Sequence, residues 1–125
     1  MTHFVEYDAV ENLVMAGITG KVNLAELKEF AVSIIRTAKR GNCFRILTDL
    51  SKAELDVTVM QTFNLPQDIA EFAAAEGLEL RAIKRAFVAP ENKNVLDFYE
   101  TVSRNRGHHT RLFHDIEEAK TWLKK

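Results

Sequence analysis

The sequence predicts an α/β domain: a single mixed sheet of four to five strands with helices, in the order β-β-α-β-α-β-α-β-α. Three features carry that reading. The stretch Phe44-Arg45-Ile46-Leu47-Thr48-Asp49-Leu50 is a nearly continuous apolar run, the mark of a strand covered on both faces. Before it lies an amphipathic helix with a start signal and a stop signal. After it, helical and strand-like segments alternate to the C-terminus, punctuated by Gly77, Pro90 and Gly107.

Residues 3–7 and 12–19 are enriched in apolar and β-branched residues. Asp8-Ala9-Val10-Glu11 between them is short enough for a hairpin, so these strands are expected to pair antiparallel. Gly17 inside the second marks a bulge or a close backbone approach. Asn23 opens the first helix, with Glu26 at the capping-box position. Leu27, Phe30, Ala31, Ile34, Ile35 and Ala38 then share one face. Lys39 and Arg40 suit the negative end of the helix dipole, and Gly41 can end the helix. Strand 44–50 pairs in parallel after a right-handed crossover and sits inside the sheet.

From 58 to 76 the pattern is helical, but Pro66 lacks a backbone donor and clashes with the preceding turn. A bend or two short helices, 58–64 and 66–76, are therefore expected, with Gly77 as the stop. A strand at 83–89 ends at Pro90. A helix over 92–106 buries Val95, Leu96, Tyr99 and Val102 and closes at Gly107. A short strand at 110–113 precedes the last helix. Asp115 caps that helix with Glu118 at the capping-box position, and Ile116, Ala119 and Leu123 face inward.

A chain of 125 residues is one domain. It can bury roughly two-thirds of its unfolded surface, enough to fold without a disulfide or metal. Cys43 is the only cysteine, so no internal disulfide forms and a cytoplasmic location is expected. The start, Met1-Thr2-His3-Phe4-Val5-Glu6, has neither the basic leader nor the apolar core of a signal peptide. No apolar run has the length of a membrane span. A pI of about 6.4 argues against a nucleic-acid-binding domain. Charge is uneven: residues 1–80 carry 7 Lys/Arg against 12 Asp/Glu, and residues 81–125 carry 10 against 6. The two ends can complement each other in self-association, with Arg104 or Arg111 near Glu6, Glu54, Asp56 or Glu79 of a second copy.

Asp49, Glu54 and Asp56 invite an acid–base reading. The better one is structural: Asp49 accepts loop N–H groups and Asp56 caps the next helix. His108, His109 and His114 invite a metal, but neighbouring residues on an extended chain point to opposite faces and no cysteine joins them. No metal or other cofactor is expected. Arg104, Arg106 and Arg111 lie in a run from 101 to 114 that lacks acidic residues, with Lys84 and Arg85 near it, and this is the candidate anion contact. Cys43 reads as a small buried residue. Phe63, Phe72, Phe87 and Phe98 read as core before they read as a ligand box.

Certain words resemble the STAS superfamily, the sulphate-transporter and anti-sigma-factor-antagonist fold, in its SpoIIAA-like branch. They are Val14-Met15-Ala16-Gly17-Ile18-Thr19-Gly20 before the first helix, Ile46-Leu47-Thr48-Asp49-Leu50 as the central strand, and Arg85-Ala86-Phe87-Val88-Ala89 as the next. The last are Leu112-Phe113-His114-Asp115 and Glu118-Ala119-Lys120-Thr121-Trp122-Leu123. The resemblance spans nearly the whole chain and implies a four- or five-stranded sheet without enzymatic activity. Anti-sigma antagonists carry a phosphorylatable serine in an Asp-Ser-Ser-Gly-like word where the helix after the central strand opens. Here that place reads Asp56-Val57-Thr58-Val59, and Thr58 is read as a helix cap without a phosphorylation switch. The branch is also similar to CRAL-TRIO lipid-binding domains, which implies an apolar pocket under mobile helices, with the Pro66 helix as a lid.

The expected function is therefore a non-enzymatic interaction or regulatory module that binds a protein partner or a second copy of itself. The contact surface is the 51–58 loop and the following turn: Leu55, Asp56, Val57, Thr58 and Met60. The alternative is a small carrier of an apolar or lipid-like ligand, with a pocket near Phe63 and Phe72. A third reading, an enzyme with a dispersed site, requires polar groups converging in a cleft.

Overall fold

The computed structural model describes residues 2–90 and 94–125. Its centre is a six-stranded mixed sheet. Strand β1 (Thr2–Asp8) pairs antiparallel with β2 (Leu13–Asn23), as the hairpin spacing predicts. Asp8 Oδ1 accepts the N–H groups of Val10 and Glu11 and so shapes the turn. Strand β3 (Arg45–Asp49) lies between β2 and β5 (Lys84–Val88), parallel to both, and β6 (His109–Phe113) closes the far edge parallel to β5. The central strand is thus interior, as expected.

One strand was not foreseen. The polar segment after the central strand is not all loop: β4 (Ala53–Asp56) pairs in parallel with the far end of β2, Gly20 opposite Ala53 and Asn23 opposite Asp56. Four residues of mixed polarity carry almost no periodic signal, and only the unusual length of β2 exposes backbone for them to pair with. The register of β1 on β2 runs unbroken through Gly17, so there is no bulge there. Instead the Phe4 ring lies across Gly17, and a Cβ at that position would sit 2.5 Å from Phe4 Cε1.

Helix α1 (Leu24–Gly41) starts with both halves of the expected capping box, between Asn23 and Glu26. It ends one residue later than expected. Asn42, not Gly41, takes the left-handed backbone, at φ 48°, a conformation that asparagine tolerates better than other non-glycine residues. Helix α2 (Val59–Ala75) decides against two short helices, the second of the two alternatives expected: it passes through Pro66 without dividing. Pro66 removes one N–H from the ladder, and the burial of Leu65 and Pro66 beneath the helix offsets that local loss. Its cap is Thr58, whose Oγ1 accepts from Gln61 N at 3.1 Å, and not Asp56. Gly77, at φ 83°, ends α2, with Leu78 N donating to Ala73 O and Gly77 N to Ala74 O. A 3-10 turn, Leu80–Ala82, leads into β5. Helix α3 (Asn94–Asn105) ends in the same motif at Gly107; its expected start at 92–93 lies outside the described residues. Helix α4 (Ile116–Leu123) is capped by Asp115, but Ile116 is exposed, while Ala119 and Leu123 are fully buried.

The strands distribute their side chains to two faces with period two. Val14, Ile18 and Ile46 join the larger core with Phe30, Ile34 and Ile35 of α1, Ala73 of α2 and Leu96 of α3. Leu13, Leu47, Ala86 and Val88 face the other way and pack on Ala119 and Leu123 of α4. Each of the larger side chains contributes roughly 1.5–3 kcal/mol by burial.

Candidate functional site

On the larger face the layers do not close completely. An apolar cavity of about 60 Å³ remains between the sheet and the three helices that cover it. Leu27, Phe30, Ile34 and Ile35 of α1 form one wall, and Thr62, Leu65 and Ile69 of α2 another. Ile46 and Thr48 of β3 and Phe87 of β5 form the floor, Leu55 and Val57 stand where β4 leads into α2, and Leu96 and Tyr99 of α3 close the far side.

Among these apolar groups sits one charge. Arg85 also lines the cavity and is only 5 % exposed. Strand alternation puts it there, because Ala86 and Val88 face α4 and Arg85 and Phe87 therefore face α3. Its Nη1 donates to Tyr99 Oη at 2.9 Å and its Nη2 to Thr110 Oγ1 at 3.1 Å, the residue opposite it on β6. The rings of Phe87 and Tyr99 lie 5.7 and 5.8 Å from the guanidinium carbon. Neither acceptor is negatively charged, and Nε has no hydrogen-bond partner among the described residues. No ion pair among the described residues involves Arg85.

The surroundings of Arg85 are positive. His108, itself 7 % exposed, leaves Nδ1 without a partner. Burial holds its imidazole down to about 4, and the charges of Arg85, Arg81 and Arg106 push the same way, against a weaker pull from Glu79. Buried Ser103 Oγ and Arg106 Nε are also unpartnered.

The residues expected to act lie as follows. Met60 is exposed, and so is Val59 beside it; Phe63, one turn on, is 45 % exposed, so it is not core. Leu55 and Val57 are half-buried and line the cavity instead of standing out from the surface. Asp56 is exposed at the end of β4. Phe63 and Phe72 do not line this cavity: Arg106 lies over Phe63 at 5.4 Å, whereas Phe72, with Arg36 over it at 5.6 Å, packs on the core and borders a separate hollow between α1 and α2 with Lys28, Val32, Asp68 and Ile69. Arg104 and Arg111 are exposed, on α3 and β6, whereas Arg106 is half-buried and reaches Gln67. Asp49 accepts from Ser51 N and Oγ, the loop role expected of it. His109 is exposed and His114 Nδ1 lies 2.8 Å from Ala89 O. No cluster of metal-binding side chains occurs among the described residues. Cys43 is free and buried.

Sequence reasoning passed over Arg85 as a site in its own right. The signal was present: Ile83-Lys84-Arg85-Ala86-Phe87-Val88 puts a guanidinium in step with Phe87 inside an otherwise apolar strand.

No protein-family model and no curated protein matches the sequence. The fold itself is known. The structure of the Bacillus cell fate determinant SpoIIAA in its phosphorylated form superimposes with a TM-score of 0.54 at 12 % sequence identity, covering 98 % of this chain and 99 % of that one. The chain therefore has the SpoIIAA fold, as the short sequence words imply. No helix among the described residues is long and apolar enough to cross a membrane.

Proposed function

We infer that the chain is a non-catalytic interaction or regulatory module that docks a protein partner on the first turns of α2 and the segment leading into it. The observation that carries this reading is the exposure of Val59, Met60 and Phe63, at 72, 67 and 45 %. Spaced i, i+1 and i+4, they share one side of the helix, next to Asp56 and Thr58 at its start. Adjacent exposed apolar side chains of this size mark contact surfaces more often than single scattered ones do. The SpoIIAA fold supports the same class of function.

A photo-reactive residue at position 60, compared with one at exposed Lys39, tests the reading in cells. The expected result is a discrete adduct from position 60 that Phe63→Ser abolishes and that position 39 does not form. Equal adducts from both positions would overturn it. An adduct of twice the chain mass identifies a second copy, and sedimentation at low and high salt then reads the contribution of Arg104 and Arg111.

The cavity favours a second reading, a carrier of an apolar ligand. Its roof is α2, tied to α1 by the exposed ion pairs Lys28–Asp68 and Arg36–Glu76, each a small contribution.

A further inference from the structure

A buried charge in a folded protein is ordinarily paired with an opposite charge. Arg85 is not. An arginine keeps its charge in a protein interior and offers five N–H donors in a planar fork that matches a carboxylate or phosphate. Here two of its nitrogens use neutral oxygens, and the faces of two aromatic rings offset part of the charge. The third nitrogen is unpartnered. Arg81 and Arg106 add to the positive potential felt nearby, and His108 stays neutral under it. At the same time Arg85 lines a cavity whose other walls are almost wholly aliphatic or aromatic.

An apolar space with a single uncompensated cation at its wall has the chemistry of a site for an amphiphile with an anionic head. We propose that the cavity binds a single-chain carboxylate of the fatty-acid class, its head on Arg85 and its chain among Ile34, Ile46, Leu65 and Ile69. The proposal rests on the second reading above, in which the cavity is a ligand site, and adds the charge and class of the ligand. A nucleotide or sugar phosphate fits less well, because its polar body would meet no partner among these walls. At about 60 Å³ the space is smaller than the roughly 150 Å³ that holds benzene. Entry of a chain therefore requires α2 to move outward.

Calorimetric titration of the full chain with octanoate, octan-1-ol and acetate tests this. Octanoate is expected to bind at least tenfold more tightly than octan-1-ol, and acetate not measurably. In Arg85→Met the preference for the carboxylate should vanish while octan-1-ol binding stays within about twofold. Equal affinity of the wild-type chain for octanoate and octan-1-ol would refute the anionic head and leave the ligand cavity standing. Failure of both to bind would remove the cavity reading and the proposal with it. A second measurement does not depend on the variant: the Arg85 Nε–H resonance should shift with octanoate and not with octan-1-ol. A resonance unmoved by bound octanoate would place the head elsewhere and overturn the assignment.

Discussion

Lowering the pH should destabilise this fold through His108. Burial, with Arg85, Arg81 and Arg106 nearby, takes its imidazole from 6.5 to about 4. Above pH 6.5 the side chain is neutral in both the folded and the unfolded chain and contributes no pH dependence. As pH falls below 6.5 the unfolded chain takes up a proton that the folded chain refuses, so stability drops. The drop ends near pH 4, where the folded state accepts the proton too. At 1.36 kcal/mol per unit, the full shift is worth at most about 3 kcal/mol, and the slope cannot exceed about 1.4 kcal/mol per pH unit. Other groups titrate in the same window, so the assay is a difference. Urea unfolding is measured from pH 7.5 to 4 for the wild-type chain and for His108→Leu, which is close in size and does not titrate. The wild-type chain should lose about 2–3 kcal/mol more than the variant between pH 6.5 and 4. Parallel profiles would refute the reasoning and mean that His108 meets solvent or a counter-charge that the static packing does not show.

The remaining predictions concern the helix over the cavity and the lone thiol. Thr58→Ala removes the cap on Gln61 N and should cost about 1 kcal/mol in urea unfolding; no measurable loss would mean that the first turn of α2 is already frayed. Pro66→Ala restores an N–H to the interior of α2 and should gain about 1–2 kcal/mol, the propensity difference of about 3 kcal/mol being reduced by the lost packing of a buried ring. A loss of stability there would show that the fold depends on the shape that proline imposes. Cys43, with Sγ 3.5 Å from the carbonyls of Asn12 and Arg45, should react with a thiol reagent far more slowly in the native chain than in urea; equal rates would show that the α1–β3 junction opens freely.

Much of the architecture could be read from local chemistry, and the reasons for the misses are local too. Asn23–Glu26, Asp115 and Thr58 are caps because side-chain oxygens and free N–H groups meet within a single turn, and sequence spacing records such contacts directly. The interior position of β3 followed from the continuous apolar run over 44–50, although Phe44 itself stays outside the strand and exposed. Pro66 left two short helices open as an alternative because a missing hydrogen bond is visible in sequence, whereas the burial that compensates it and keeps the helix in one piece is a tertiary quantity. Strand β4 was hidden because its partner is the overhanging end of a strand some thirty residues earlier. Phe63 and Phe72 were both expected inside; Phe72 packs against the core, but helical phase turns Phe63 outward beneath Arg106. The candidate site suffered most. An arginine in a strand reads as surface, and only assembly shows that α3, β6 and the cavity enclose it.

The two functional readings meet in α2. One side of this helix presents Val59, Met60 and Phe63 to solvent, while Thr62, Leu65 and Ile69 form the roof of the cavity. The helix packs on α1, α3 and the 3-10 turn, and its ties to α1 combine apolar packing and the Arg36–Phe72 contact with two ion pairs near the surface that salt weakens. A chain entering beneath α2 would have to displace the helix that carries the proposed docking residues. Coupling between the two sites is then required in both directions: a ligand that shifts α2 changes partner affinity, and the partner changes ligand affinity by the same factor. The test is to measure octanoate affinity with and without Val59→Ser/Met60→Ser, and again with a partner identified from position 60. If the inside and outside of α2 are one switch, the bound partner should change octanoate affinity severalfold, whereas the double substitution alone should leave it within about twofold. Octanoate affinity unchanged by the bound partner would mean that the cavity and the docking face are independent properties of one fold.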